Sequence, residues 1–160
     1  MQAAKDTFLN TLAARLAVLN PARTVTLDGA SRPAVMAVEN ETPVPANTFL
    51  ETFLLSWEGA GRISPDAPLM YMDCKLSYGS QGTNDMLRTD RGRTVTAMDV
   101  ELLQLCEPRQ TPKYDYTSTP PSALGTNIFW ALPVLEPSSE VNGVLLRTAT
   151  IRLFFFPEVV

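Results

Sequence analysis

The first twenty residues carry apolar side chains at steps of three or four positions. The residues that would share one face of an α-helix in this way are Phe8, Leu12, Leu16 and Leu19. Asp6 or Thr7 can cap such a helix, and Asn20-Pro21 stops it because proline cannot continue a helix. The pattern predicts an N-terminal helix that buries one face.

Two short β-rich runs follow this helix. Residues Thr24–Leu27 and 34–38 flank Asp28-Gly29, a pair typical of turns, and Pro33 comes just before the second run. Because the two runs lie several residues apart, the spacing predicts a hairpin whose loop is longer than two residues.

Two long strands are predicted in the middle of the chain, after a loop at 39–47 that contains two prolines. Residues 49–57 alternate so that both faces are partly apolar, which is typical of a strand covered by a helix on one side and by another element on the other. A second strand is predicted at 69–78, and the connection is short enough for antiparallel neighbours. We expect this pair to form the centre of the sheet.

A second helix is predicted after a glycine-bearing connection at 79–84. Thr83-Asn84-Asp85 offers it a polar cap, and Gly92 can kink it or delay its start to Thr94. The residues at helical spacing are Leu87, Arg91, Thr94, Val95, Met98, Leu102 and Leu105. Glycines ahead of a helix can also hold a phosphate, but both the Gly-Lys-Ser/Thr ending and the complete GxGxxG pattern are missing. We therefore interpret the connection as a structural loop.

Residues 107–122 contain four prolines together with Tyr114 and Tyr116. Such a segment cannot form a regular helix or a central strand, so the sequence predicts a long loop. Loops of this length inside a compact domain are usually functional or mobile, and tyrosine favours contact surfaces. The segment is interpreted either as an arm that binds a partner or as a loop wrapped on its own domain.

The last third of the chain predicts two more strands. One covers 127–134 and ends at a sheet edge because of Pro133, and the other covers 144–156 with clear alternation; 135–143 would join them as a hairpin. The aromatic clusters at 129–130 and 154–156 are interpreted as core, with a ligand pocket as the alternative.

This order of elements predicts one α+β domain over residues 1–160, with a long proline- and tyrosine-containing loop at 107–122. We expect a single mixed, mainly antiparallel β-sheet of four to six strands, with two main helices packed on one face. A chain of 160 residues is long enough to bury its own core without crosslinks.

The composition narrows the chemistry that this chain can perform. It contains no histidine, the usual proton shuttle near neutral pH and the commonest metal ligand, so catalytic triads and most catalytic zinc sites are excluded. The net charge of −4 disfavours sequence-specific binding to nucleic acid. We expect no catalytic residue, no cofactor and no bound metal.

Two further features bear on the environment of the chain. Cys74 and Cys106 lack CxxC or metal-ligand spacing, so we interpret both as small buried apolar residues rather than as a disulfide or a reactive thiol. No secretory signal pattern and no run of 18 apolar residues is present, so we expect neither standard secretion nor a membrane span.

Arginine is unusually common relative to lysine, with ten arginines against three lysines. Arg88, Arg91 and Arg93 form the one dense cationic cluster, and acidic residues are interleaved with it. A helix face that carries both positive and negative side chains is usually exposed to solvent. Arginine is also enriched at protein contacts, where its planar fork pairs with carboxylates, so a subunit interface remains the alternative.

The sequence from residue 78 to residue 156 has a recognisable order of segments. A strand and a glycine-bearing turn lead to the arginine-rich helix LRTDRGRTVTAMDVELLQL, and a proline-tyrosine connection leads to TNIFWALPVLEP and VLLRTATIRLFFF. In this order and in its size the chain resembles the tail terminator proteins of long-tailed bacteriophages and related tail-completion proteins. With the N-terminal helix and first hairpin, the likeness covers most of the chain.

The resemblance implies a structural virion protein, made in the host bacterial cytoplasm, that assembles as a hexameric ring. Such a ring caps the tail tube and joins it to the head-completion or connector protein, with DNA only as passing cargo in its lumen. The positions that match the ring contacts are Arg88, Arg91, Arg93, Tyr114 and Tyr116. The resemblance also fits another neck or tail-tube component.

Two other classes of function remain open on the residues alone. One is a non-viral binding or adaptor domain of similar fold. The other is an enzyme that uses Asp73, Asp85, Asp99 or Glu101 with a borrowed metal, since carboxylates bind magnesium. The sequence spacing places none of these four beside a second ligand.

Overall fold

A computed structural model describes residues 1–41, 49–83 and 90–158. Within these residues, helices cover one face of a mixed, mostly antiparallel sheet, which confirms the α+β fold class. The helices are α1 (Gln2–Leu19), α2 (Val38–Glu41) and α3 (Asp90–Leu105). Most of the predicted 39–47 loop, the predicted cap at Asn84-Asp85 and the interface candidate Arg88 lie outside the described residues.

The strands of the described chain form one large sheet and one small ribbon. They are β1 (Thr24–Leu27), β2 (Ala30–Pro33), β3 (Val35–Ala37), β4 (Phe53–Arg62), β5 (Met70–Ser80), β6 (Gln110–Asp115), β7 (Ser122–Trp130), β8 (Val134–Leu135), β9 (Ser139–Val141) and β10 (Val144–Phe155). The large sheet has the order β3-β4-β5-β10-β7-β6, and the short β8 and β9 also pair with β10. It therefore has eight strands in the described chain, more than the expected four to six, because short segments flank β10.

The first hairpin is tighter than the sequence predicted. β1 pairs with β2, from Leu27 opposite Ala30 to Thr24 opposite Pro33. Its two-residue turn, Asp28-Gly29, has positive φ at both positions, 49° and 80°, a backbone that matches the twist of the flanking strands. The prediction that 34–38 forms the second arm of this hairpin was wrong. A strand does form there, β3, but it pairs in parallel with the start of β4, with Val35 opposite Phe53.

The centre of the sheet is the β5–β10 pair. These strands are antiparallel over eleven successive residue pairs, from Leu145 opposite Ser80 to Phe155 opposite Met70. The prediction that β4 and β5 are antiparallel neighbours is confirmed. β4 itself lies one strand from the edge, because β10 returns from the C-terminus and occupies the other side of β5.

The segment 107–122 is not one continuous loop. Its residues Gln110–Asp115 form β6, an edge strand that pairs with β7. Pro112 is accommodated because an edge strand needs no second set of backbone donors, and the register shifts between Pro112 and Tyr114. The prolines exclude a central strand, as expected, but they do not exclude an edge strand.

The core lies between the sheet and the helices α1 and α3. On α1 the predicted face buries Phe8, Leu12 and Leu16 completely, whereas Leu19 is exposed. The helix begins at Gln2, before the predicted cap, and ends at Leu19 ahead of Asn20 as expected. From the sheet, alternate residues enter the core, among them Cys74, Leu76, Trp130, Ile151 and Phe155. In the described residues, no helix is long and apolar enough to cross a membrane.

Helix α1 also covers the edge of the sheet at β6. The Thr7 hydroxyl accepts a hydrogen bond from the backbone N–H of Tyr114 at 3.0 Å and donates one to its carbonyl at 3.3 Å. Arg15 donates to the carbonyls of Leu105 and Pro108 at 2.8 and 2.9 Å. Unpaired edge groups invite another strand to add, so the Thr7 bonds protect the edge near Tyr114, whereas those of Arg15 fasten α1 to the end of α3 and the segment that follows it.

We expect Thr7→Val, a change of similar shape, to destabilise the protein by about 1 to 3 kcal/mol because it leaves the edge groups of Tyr114 without partners. Thr11→Val is the matched control, since Thr11 donates only within the helix, to the Thr7 carbonyl at 2.7 Å. Urea unfolding of both variants measures the difference. Equal stabilities would show that Thr7 does not protect the edge.

Candidate functional site

Two of the arginine candidates, Arg91 and Arg93, lie at the start of α3, and Arg91 is held within its own chain. Its guanidinium donates to the Gly143 carbonyl at 2.9 Å and to the Glu140 carboxylate at 2.5 Å. These bonds tie the first turn of α3 to the turn between β9 and β10. Arg93, two residues later, is exposed.

The two tyrosine candidates form a pair against α1. The rings of Tyr114 and Tyr116 meet edge to face, with centroids 6.2 Å apart. Both rings are half-buried, and burial is the main cause that raises the pKa of Tyr116. With the backbone of Tyr114 bound to Thr7, this part of 107–122 is wrapped on its own domain. These contacts match the interpretation of 107–122 as a segment wrapped on its own domain.

The predicted interface residues therefore fall into two groups with different neighbours. Arg91 contacts the β9–β10 turn and Tyr114 contacts α1. Whether these residues also meet another subunit stays a prediction.

Three of the four candidate carboxylates are paired with arginine side chains, and two of these pairs involve Asp73 and Glu101. Asp73 accepts two bonds from Arg152, at 2.7 and 2.8 Å, and this hydrogen bonding is the main cause that lowers the pKa of Asp73. Glu101 accepts bonds from Arg23 and, at 2.7 Å, from the side-chain amide of Asn20. Asp85 lies outside the described residues.

The third carboxylate, Asp99, belongs to a buried network between α3 and the two central strands. Its Oδ1 accepts a 2.6 Å hydrogen bond from the Tyr78 hydroxyl, and its Oδ2 accepts one at 2.9 Å from Arg147. Arg147 also donates to the Glu136 carbonyl at 2.8 Å. Burial, followed by the bond to Asp99, raises the pKa of Tyr78 far above its usual range. The network fastens α3 to β5 and β10.

The remaining nucleophilic candidates are core residues. Cys74 and Cys106 are both buried with free thiols, which confirms their interpretation as small apolar residues. Burial raises the pKa of Cys106 to about 12 and also raises that of Cys74. In residues 1–41, 49–83 and 90–158, no three Cys, Asp or Glu side chains come together as a group that could hold a metal ion.

The structure shows an exposed aromatic surface that the sequence pattern did not predict. On the side of the sheet away from the helices, Tyr71, Phe154 and Phe129 lie opposite one another on β5, β10 and β7. Phe129 is 37 % exposed, and the other two rings are partly exposed. We call this set the aromatic row. The interpretation of both aromatic clusters as core is right for Trp130 and Phe155 and wrong for Phe129 and Phe156.

Close packing fixes one end of the aromatic row. The Tyr71 ring lies over Gly61 of β4, where a Cβ would come within 3.1 Å of the ring. The Arg152 guanidinium also lies over the same ring, 4.4 Å from its centroid, while it binds Asp73. Cations over an aromatic face are attracted to it. The row is therefore held in place before any partner binds.

Alternation along β7 and β10 could have shown that part of each aromatic cluster faces away from the core. Phe129 and Phe154 stand at positions whose neighbours, Trp130 and Phe155, are buried, and successive strand residues point to opposite faces. A run of consecutive aromatic residues must therefore place part of its surface on the second face of the sheet.

We expect Tyr78→Phe to lower the free energy of unfolding by about 1 to 3 kcal/mol at neutral pH, because a buried hydrogen bond to Asp99 is lost. The pKa of Tyr78 is higher in the folded state, so its contribution is complete below the ordinary tyrosine pKa, about 10, and is lost as pH rises above it. Between neutral and alkaline pH, the Tyr78→Phe variant should therefore lose less stability than the wild type.

Tyr71→Phe is the matched control, since it retains Tyr78 and removes a hydroxyl from the other face of the sheet. Denaturant unfolding across this pH range measures both effects. The same slope in Tyr78→Phe and in the wild type would contradict the role given to the Tyr78–Asp99 bond.

The sequence was also compared with known proteins. No protein family model matches the chain, and no curated protein matches it significantly.

Proposed function

We propose that this protein is a structural component of a bacteriophage tail, a tail terminator whose copies form a ring that caps the tail tube and joins it to the head-proximal connector. The observation that carries the proposal is the exposed aromatic row on the face of the sheet that points away from α1 and α3. Exposed apolar surface on a rigid element is typical of a protein contact. The resemblance in element order supplies the identity of the assembly.

The use of the polar residues supports a structural role. Asp73, Asp99 and Glu101 each accept bonds from an arginine on another segment of the chain. Carboxylates held in this way fasten elements together and have fewer lone pairs free for a metal or a substrate. The arrangement favours a protein that acts through its shape.

The same surface also supports two other assignments. Another neck or tail-tube component, or a non-viral adaptor domain of similar fold, would equally need a rigid apolar contact face. The location of the protein separates most of these possibilities: a tail terminator or neck component lies at the head-proximal end of the tail tube, a tube component lies along the tube, and a non-viral adaptor is absent from phage particles.

The charge of the protein suits the proposed passage of DNA. With a net charge of −4, a ring of this chain would bind the DNA backbone weakly, since affinity for phosphates comes mostly from lysine and arginine contacts. Weak binding in the lumen would let DNA pass during ejection.

We expect the purified protein to bind purified tail tubes at one end and to form a ring there, because a terminator recognises the end of a growing tube. Negative-stain electron microscopy with gold-labelled protein measures the position, and mass measurement in solution gives the number of copies. Label along the whole tube would indicate a tube component. Absence of label on tubes, together with absence of the chain from purified particles, would overturn the proposed function.

A further inference from the structure

Two tight turns in this chain share one backbone conformation. Asp28-Gly29 joins β1 to β2, and Asn142-Gly143 joins β9 to β10. The φ angles are 49° and 80° in the first turn and 51° and 79° in the second. Positive φ at both positions is typical of the two-residue hairpin turn whose twist matches its strands. The two turns therefore differ in their chemistry and their surroundings, but hardly in their backbone shape.

The second turn contains the only Asn-Gly pair in the sequence. Glycine has no side chain to hinder its backbone nitrogen, so this nitrogen can attack the side-chain amide of a preceding asparagine. Asparagine is for this reason a thermolabile residue. Asn142 is exposed, and the ladder pairs the flanking Val141 and Val144, so the turn itself lies outside the ladder and is open to water.

The reaction of such a pair is deamidation, and it needs water as its only co-reactant. The Gly143 nitrogen forms a bond to the side-chain carbon Cγ of Asn142 and loses its proton. The bond from Cγ to the side-chain nitrogen breaks, and that nitrogen leaves with the proton as ammonia. Water then opens the five-membered succinimide ring at either of its two carbonyl groups. One opening gives an aspartate, and the other gives an isoaspartate, whose main chain is longer by one carbon.

Arg91 spans this turn from the start of α3. Its guanidinium donates to the Gly143 carbonyl at 2.9 Å and to the Glu140 carboxylate at 2.5 Å. Closure of the succinimide ring rotates the Cα–C bond of Asn142 away from the angle of a tight hairpin turn, so the turn must open before the ring can form. Both bonds of Arg91 oppose that opening. Arg91 therefore acts as a clamp on the reactive pair.

The first turn has no such clamp. In residues 1–41, 49–83 and 90–158, no side chain is hydrogen-bonded across Asp28-Gly29. The arginine nearest to it in sequence, Arg32, binds the Val35 carbonyl and the Glu41 carboxylate instead. The chain thus offers two turns of the same backbone shape, of which one is held by an arginine.

We propose that Asn142-Gly143 is a deamidation site held closed by Arg91, and that its isoaspartate product releases the start of α3 from the β9–β10 turn. The ladder leaves room for two ordinary residues between Val141 and Val144. An extra main-chain carbon disturbs that spacing, and with it the position of the carbonyl that Arg91 binds. The reaction requires one copy of the chain and does not depend on the proposed function.

A second Asn-Gly pair in the same molecule tests the role of Arg91. Asp28→Asn creates this pair in a turn of nearly the same φ angles but without a clamp, and we call it the reporter pair. The folded protein is incubated in warm, mildly alkaline buffer, and peptide mapping by mass spectrometry follows both sites. Each rate is divided by the rate of the same site in urea. We expect the reporter pair to deamidate several-fold faster than Asn142.

Arg91→Ala, made in the Asp28→Asn background, should speed deamidation of Asn142 by about three- to tenfold, because hydrogen bonds from a charged group are lost. The rate at the reporter pair should stay the same. Arg93→Ala is the matched control, since Arg93 is exposed and lies two residues further along α3. An equal increase at both turns, or no increase at either, would overturn the role given to Arg91.

Hydrogen exchange of the aged protein tests the release of α3. The isoaspartate fraction should exchange the first backbone amides of α3 faster than the fresh protein does. Asn142→Gly cannot form the ring and accepts positive φ, so this variant should age without that change. Unchanged exchange in the isoaspartate fraction would overturn the release of α3. Deamidation of Asn142 no faster than that of Asn10, an exposed asparagine on α1, would overturn the site itself.

Discussion

The antiparallel ladder between β5 and β10 is the interaction on which the rest of the structure depends. Its eleven residue pairs fix which side chains of both strands face the helices and which face outward. A shift of one residue would move every core residue of a strand to the other face. β7, β8 and β9 all pair with β10, and the Tyr78–Asp99–Arg147 network fastens α3 to both central strands. The position of a residue in this ladder therefore determines whether its side chain enters the core or lies on the outward face of the sheet.

The ladder also explains why an aromatic row is exposed on one face of the sheet. Both α1 and α3 pack on the other side, so within the described residues neither of them covers the outward residues of β5, β10 and β7. Most outward positions are polar or paired, as Arg152 is with Asp73, but the aromatic row is not polar. An apolar surface held rigidly by neighbouring strands can bind a partner with little loss of conformational entropy. This property favours a role in assembly over a role in chemistry.

The sequence predicted the elements better than it predicted their pairing. The buried face of α1, the alternation of the long strands and the burial of both cysteines follow from local patterns. The partner of β1 did not, because residues 30–33 were predicted to be part of the loop, whereas the tight turn at Asp28-Gly29 pairs them with β1 as β2. The sequence did not predict β6 because its prolines argue against a regular strand. An edge strand such as β6 tolerates proline, since it needs backbone hydrogen bonds on one side only. The open face could not be located without the topology, since only the return of β10 beside β5 brings Phe154 between Tyr71 and Phe129.

The central claim is that the open face of the sheet is a contact surface between protein subunits. Hydroxyl-radical footprinting of the free and the assembled protein, read out by mass spectrometry, tests this most directly. We expect oxidation of Tyr71, Phe129 and Phe154 to fall on assembly, with Ile63 oxidised equally in both states. Unchanged oxidation of all three rings in an assembled particle would contradict the claim.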